Sequence, residues 1–185
     1  KAPTFLGERV GRPEAASPRH MDPPVHTLFP VGNVGGATRN IIEASSKRLV
    51  LVELASRSCP KCKAQTHLSY CATCREKTMP VMRCPNCGNV VEAEKCRICG
   101  RRAAPYSRST VDLVGLLTES LNVIGIHTPP KLVKGVKSLV NPGRVPENLA
   151  KGILRAQLGL SIFRDGTVRF DASNGVLPEF APKEV

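Results

Sequence analysis

All eight cysteines of this 185-residue chain fall into C-x-x-C pairs: Cys59/Cys62, Cys71/Cys74, Cys84/Cys87 and Cys96/Cys99. A C-x-x-C turn aims two sulfurs at one point, and two such turns supply the tetrahedral thiolate shell that Zn²⁺ prefers. We assign the eight residues as ligands of two zinc ions. A disulfide framework is the competing reading, and it suits exported chains. The first residues, K-A-P-T-F-L-G-E-R-V, lack the apolar run of a signal peptide, so a cytoplasmic place is expected. Four copies of a redox C-x-x-C outside a thioredoxin-like context have no use for one another. Rubredoxin-like iron shares the C-P-N-C-G knuckle at 84–88 and stays an alternative metal.

Two partitions of the ligands are open. Sequential pairing (59/62/71/74 and 84/87/96/99) closes the shortest loops and is favoured on chain entropy. A cross-brace (59/62/84/87 and 71/74/96/99) uses the same residues. His67 lies between knuckles, but with four thiols at hand it reads as a surface residue. Either partition fills all four positions of each ion, leaving none for an activated water, so the zinc is structural. A segment with so few large apolar residues has little core of its own, and the metal must supply its stability.

The surroundings are basic. The chain carries 27 Lys/Arg against 15 Asp/Glu, a formal charge of +12. Two occupied tetrathiolate sites lower it to about +8. Between residues 56 and 108, eleven Lys/Arg face only Glu76, Glu92 and Glu94. Such a surface suits a polyanion, while part of the charge offsets the metal clusters.

Catalytic chemistry of its own is not visible. Four aspartates are present, Asp22, Asp112, Asp165 and Asp171, with no D-x-D to hold paired metal ions. Asp165 belongs to a turn and Asp112 to a helix start. Neither G-x-S-x-G nor H-E-x-x-H occurs.

Around the knuckles, 15 glycines and 16 prolines, no Trp and only 4% aromatics favour a loop-rich assembly of small units. No apolar run approaches the length of a membrane span. Residues 1–30 read as extended chain and turns, with T-L-F-P-V (27–31) a strand candidate. The glycine-rich 31–40 leads into a helix at 38–46 with Thr38 as the expected N-cap. R-L-V-L-V-E-L-A (48–55) reads as a strand. Residues 107–125 read as an amphipathic helix ended by Asn122 or Gly125. K-L-V-K-G-V-K-S-L-V (131–140) is ambiguous, with Lys131, Lys134 and Lys137 forming a basic face. Residues 145–159 predict a helix with Pro146 in its first turn. Residues 160–171 predict a hairpin turning at Asp165-Gly166.

Several stretches occur in an order that resembles one family: A-P-T-F-L-G-E-R-V-G-R-P-E (2–14), P-P-V-H-T-L-F-P-V-G (23–32), G-G-A-T-R-N-I (35–41), the zinc knuckles, P-E-N-L-A-K-G-I-L-R-A (146–156) and D-G-T-V-R-F-D (165–171). Together they are similar to the large, catalytic subunit of the archaeal family D DNA polymerase. The resemblance implies a mixed α+β chain, an internal segment of a longer polypeptide. Residues 1–55 would supply strands of a double-psi β-barrel, 56–102 tandem zinc ribbons, and 103–185 an adjoining α+β segment. It implies DNA (primer–template) as partner, with the rest of the large subunit, a small exonuclease subunit and the sliding clamp. Mg²⁺ would be held outside this chain, since the family's N-A-D-x-D-G-D-like motif is absent. Arg9, Arg12, Arg39 and Lys134 are the expected DNA contacts. In the family pattern G-R-P-E is followed by lysines, where this chain has Ala15, Ala16 and Ser17, and a basic residue is expected at Ala181. Fewer cations there would weaken charge stabilisation of a transferring phosphate, implying a divergent or catalytically silent relative. From the residues alone, the alternative is a tandem-ribbon protein–protein interaction module.

Overall fold

A computed structural model describes residues 23–162 and the backbone of 168–170. The organising element is a long hairpin. Strand β1 (Leu49–Ala55) pairs antiparallel with β5 (Tyr106–Asp112) along its whole length, from Leu49↔Asp112 to Ala55↔Tyr106. In β1, Val50, Val52 and Leu54 are buried while Leu49 and Leu51 are exposed, the period-2 pattern of a half-buried strand. Residues 56–105 leave the hairpin at Ala55 and return at Tyr106, and Ser56 N–H donates to the Pro105 carbonyl at 2.9 Å where the ends meet. The cysteine segment is therefore an excursion from the tip of one hairpin. It carries only short strands, β2 (Arg57–Ser58) flanked by β3 (Gln65–Thr66) and β4 (Met79–Pro80).

The main core lies beneath this hairpin. Phe29, Val31, Ile41, Val50, Leu54, Val111, Leu113, Val133, Leu149 and Ile153 form one buried cluster. Helices α1 (Ile41–Ser45), α2 (Leu113–Ile124) and α3 (Leu149–Leu158) surround it. Strand β6 (Leu160–Ile162) follows α3 and pairs with β7 (Val168–Phe170), as the hairpin reading requires. The Asp165-Gly166 turn lies outside the described residues. Mixed α+β is thus the architecture. Among the described residues the strands form separate sheets of two or three, with no closed barrel.

Several boundaries differ from the sequence reading. Residues 107–112 are strand, not helix, because Ser107–Asp112 complete the ladder with β1. Asp112 then caps α2, its side chain accepting from Gly115 N–H at 3.1 Å, and Gly125 ends the helix in the left-handed conformation. Helix α1 begins at Ile41, capped by Asn40 rather than Thr38. Helix α3 starts after Asn148, which leaves Pro146 before the cap. Residues 27–31 form only an isolated bridge, Pro30↔Val136.

The stretch 131–140 is neither a helix nor a basic face. It threads the core as extended chain, with Val31 N–H on the Val136 carbonyl (2.9 Å) and Ile41 N–H on the Val133 carbonyl (2.9 Å). Lys131 and Lys137 are exposed, but Lys134 is buried. Period-3 lysines gave no warning of this, because the partner strand comes from a distant part of the chain.

Candidate metal centres

The eight sulfurs gather in two sets, Cys59/Cys62/Cys71/Cys74 and Cys84/Cys87/Cys96/Cys99, each within 4.8 Å throughout. This is the sequential partition. No cysteine is in a disulfide. Cys62 Sγ lies 3.6 Å from Cys71 Sγ, and Cys87 Sγ lies 3.7 Å from Cys96 Sγ. With Zn–S bonds of about 2.3 Å, a tetrahedron has S···S edges of about 3.8 Å. The donor set and its spacing fit a four-coordinate thiophilic dication.

Each sulfur pair sits on the same backbone loop. The N–H of the first cysteine donates to the carbonyl five residues on: Cys59 to Ala64, Cys71 to Glu76, Cys84 to Asn89, Cys96 to Arg101. The N–H four residues on returns to that cysteine's carbonyl, from Lys63, Arg75, Gly88 and Gly100 at 2.8–3.0 Å. Those four residues all have positive φ: 61°, 56°, 74° and 65°. The second ribbon uses glycine there, while the first strains a Lys and an Arg into the left-handed region. The first cysteine of every pair is buried and the second is more exposed, so each cluster faces solvent on one side.

The loop also tunes the thiols. The Cys74 backbone N–H pulls the Cys71 thiol down to about 7, and the Cys87 N–H does the same for Cys84. Hydrogen bonding with Cys62, with desolvation, pushes Cys74 up to about 12. Four crowded thiols cannot all ionise without a counter-charge, which a bound dication supplies.

Other site residues fall differently. Arg9 and Arg12 lie outside the described residues, as do Ala15, Ala16, Ser17 and Ala181. Arg39 is half-buried with φ 52°, and its carbonyl accepts from Gly135 N–H at 3.0 Å. Lys134 Nζ donates to the Pro23 carbonyl at 2.5 Å. His67 joins neither thiol set; its Nδ1 lies 2.8 Å from the Ala55 carbonyl, so this nitrogen carries the proton.

Sequence reasoning missed a buried polar knot on α3. Arg155 donates to Glu147 (2.7 Å) and to the His26 carbonyl (3.0 Å), while Glu147 also accepts from Leu28 N–H (2.7 Å). His26 Nδ1 accepts from Lys134 N–H at 3.0 Å, which fixes the proton on Nε2. Desolvation, then Lys134 and Arg155, hold its pKa below 6.5. The one available signal was the spacing of Glu147 and Arg155 along a predicted helical segment, which does not say that Arg155 is buried with Glu147 half-buried against it.

Residues 1–93 match the family model described as DNA polymerase II large subunit DP2, central domain, and residues 126–185 match the catalytic domain of the same subunit. The chain belongs to the DNA polymerase II large-subunit family. It is 39% identical to the DNA polymerase II large subunit of Archaeoglobus fulgidus over 100% of this chain and 17% of that one. With the subunit of Cenarchaeum symbiosum it shares 40% identity over 98% of this chain and 16% of that one. The subunit of Methanocella arvoryzae is 38% identical over 100% of this chain and 17% of its own length. The chain thus spans about one sixth of these large subunits. The second ribbon's last knuckle, β5 and all of α2 fall between the two matched regions.

Proposed function

We propose that the chain is a segment of the large subunit of a DNA-directed DNA polymerase, contributing a zinc-stabilised, basic primer–template surface. Family membership over the whole chain is the observation that carries this reading. The two tetrathiolate sets support structural Zn²⁺, and nine of the eleven cations in 56–108 are exposed around them. Arg9, Arg12 and Arg39 remain the proposed phosphate contacts. Lys134 is the weakest of the original four, since burial and its bond to Pro23 hold it in the core. In the assembled subunit, residues 1–55 supply double-psi barrel strands, 56–102 the ribbons, and 103–185 the adjoining α+β segment. Mg²⁺, the small exonuclease subunit and the sliding clamp belong to the whole enzyme, in the cytoplasm. The isolated segment has no nucleotidyl transfer of its own.

The test is binding of duplex DNA by the zinc-loaded chain across a salt series. Affinity should fall steeply with salt and weaken in the Arg12→Gln/Arg39→Gln variant. A flat salt response removes the DNA role.

A second reading, a protein–protein docking module, draws on exposed apolar side chains on the ribbons, Tyr70 (60%), Val90 (57%) and Ile98 (76%). It predicts partner affinity that survives the double arginine variant and vanishes when zinc is stripped.

A further inference from the structure

A cavity of about 320 Å³ opens where the two ribbons meet the hairpin that carries them. The first ribbon contributes Arg57 and His67, the second Arg83, and β5 Arg108 and Ser109. No Asp or Glu lines it. Among the described residues, none of the three guanidiniums has a carboxylate partner. Arg57 is held by neutral acceptors, donating to Thr78 Oγ1 at 2.8 Å and to the Thr78 carbonyl at 2.5 Å. Arg83 donates to the Gly88 carbonyl (2.8 Å) and across the ribbons to Gln65 Oε1 (2.9 Å). Neutral acceptors fix a guanidinium's position and leave its charge whole. Each of these two has five donors and uses two, so three remain. The cross-strand neighbour of Arg108 is Glu53, whose carboxylate sits by Arg144 at 4.0 Å. Among the described residues the Arg108 guanidinium has no hydrogen-bond or ion-pair partner.

We propose that this cavity is a phosphate-binding pocket. Two arginines with fixed planes, a third with its donors uncommitted, a hydroxyl and no competing acid are the chemistry that recognises a phosphate oxyanion. The volume is at the small end of ligand sites, enough for a phosphate with its sugar and far too little for a duplex. The phosphate comes either from the backbone of a single strand or from a free phosphate species. The strand source rests on the DNA reading above; the free source does not. Because the walls come from both ribbons, the pocket exists only when both thiol sets are closed.

Two measurements on the zinc-loaded chain test this. Fluorescence anisotropy follows a labelled single-stranded 12-mer across a salt series, for wild type, Arg108→Gln and the charge-matched Arg97→Gln on an exposed knuckle. NMR follows the His67 ring while inorganic phosphate is added. For a strand phosphate, Arg108→Gln weakens binding several-fold more than Arg97→Gln and lowers the salt slope by about 0.7. For a free phosphate, the His67 signals shift saturably at millimolar phosphate in wild type and not in Arg108→Gln, with the strand affinities of the two variants equal. Equal losses from both variants with no saturable phosphate shift overturn the pocket while leaving the DNA reading in place; the arginines then merely offset the metal clusters. A flat salt response with a saturable shift does the reverse. The phosphate titration of wild type needs no variant, so the proposal stays falsifiable even where Arg108→Gln fails to retain two zinc ions.

Discussion

Gly152 sits inside α3, where alanine should be the better helix former by about 1 kcal/mol. The fold forbids the exchange. A Cβ at this position would lie 2.3 Å from Thr27 Cβ, 2.8 Å from its Oγ1 and 3.0 Å from its Cγ2. Carbon atoms in contact sit about 3.5–4.0 Å apart, so α3 and the Thr27 segment would have to separate by more than an ångström. Thr27 cannot retreat, because it is fully buried and its N–H is bonded to the Lys134 carbonyl at 3.1 Å. Moving α3 instead would pull Leu149 and Ile153 out of the main core. Overpacking of this kind costs about 1–3 kcal/mol, and lost packing on the neighbouring residues adds to it. We expect Gly152→Ala to lose about 1–3 kcal/mol net, read as a lower urea midpoint of the zinc-loaded chain with an unchanged slope.

The decisive control is Thr27→Gly, which deletes all three clashing atoms together. Thr27 Oγ1 has no hydrogen-bond partner among the described residues, so its removal breaks no bond. In the double variant, the added Cβ enters the space vacated by the threonine. The pair should couple favourably by more than about 1 kcal/mol in a double-mutant cycle. Additive losses, or a neutral Gly152→Ala, would refute the close packing of α3 on the Thr27 segment.

Replacing Cys59, Cys62, Cys71 and Cys74 by serine should leave one bound zinc per chain by elemental analysis; a cross-braced pair of sites would leave none. Lowering the pH should release zinc, since every ligand must shed a proton to bind; thiolate pKa values depressed by metal give stability that is present at neutral pH and lost on acidification, and a chromogenic chelator should register that release. Asn40→Ala removes the α1 cap, the acceptor for Val133 N–H at 3.1 Å and a donor to the Lys131 carbonyl, and should cost about 2–4 kcal/mol in urea unfolding. His26 has a folded pKa below its unfolded 6.5, so the unfolded chain takes up the proton first and stability falls as pH drops below about 6.5. Urea midpoints across that range should lose part of their pH slope in His26→Gln.

The thiol sets were legible because a ligand rule acts on spacing alone, and the knuckles close over five residues. Strand β1 was legible for a similar reason: its alternation is local. The errors came where a distant partner decides. Residues 107–112 have helical spacing continuous with α2, yet β1 claims them as strand, and Asp112 becomes the cap between the two structures. Lys134 left the basic face expected of 131–140 in the same way, because its neighbours His26, Pro23 and Asn40 stand more than ninety residues earlier. The phosphate contacts proposed at Arg9 and Arg12 lie outside the described residues. The pocket with Arg57, Arg83 and Arg108 was invisible because its walls come from three separate parts of the chain.

The two family matches stop and start at residues 93 and 126, but the packing does not. Phe29, Ile41, Val50 and Leu54 from the central-domain match share one core with Val133, Leu149 and Ile153 from the catalytic-domain match. Between them, β5 and the start of α2 add Val111 and Leu113 to that core. The ribbons stand on the far end of this same hairpin, tied at Ser56 and Pro105. The knuckles are therefore joined to the core shared with the catalytic-domain match through seven paired positions of β1 and β5, and we expect this hairpin to act as a lever between them. Metal binding closes the ribbon end of that lever, and a tetrathiolate set lost to serine should loosen the hairpin tip, at Ala55 and Tyr106, before it disturbs Leu49 and Asp112. Amide exchange along β1 measures that gradient directly. Uniform protection with and without zinc would mean that the two ends are mechanically independent.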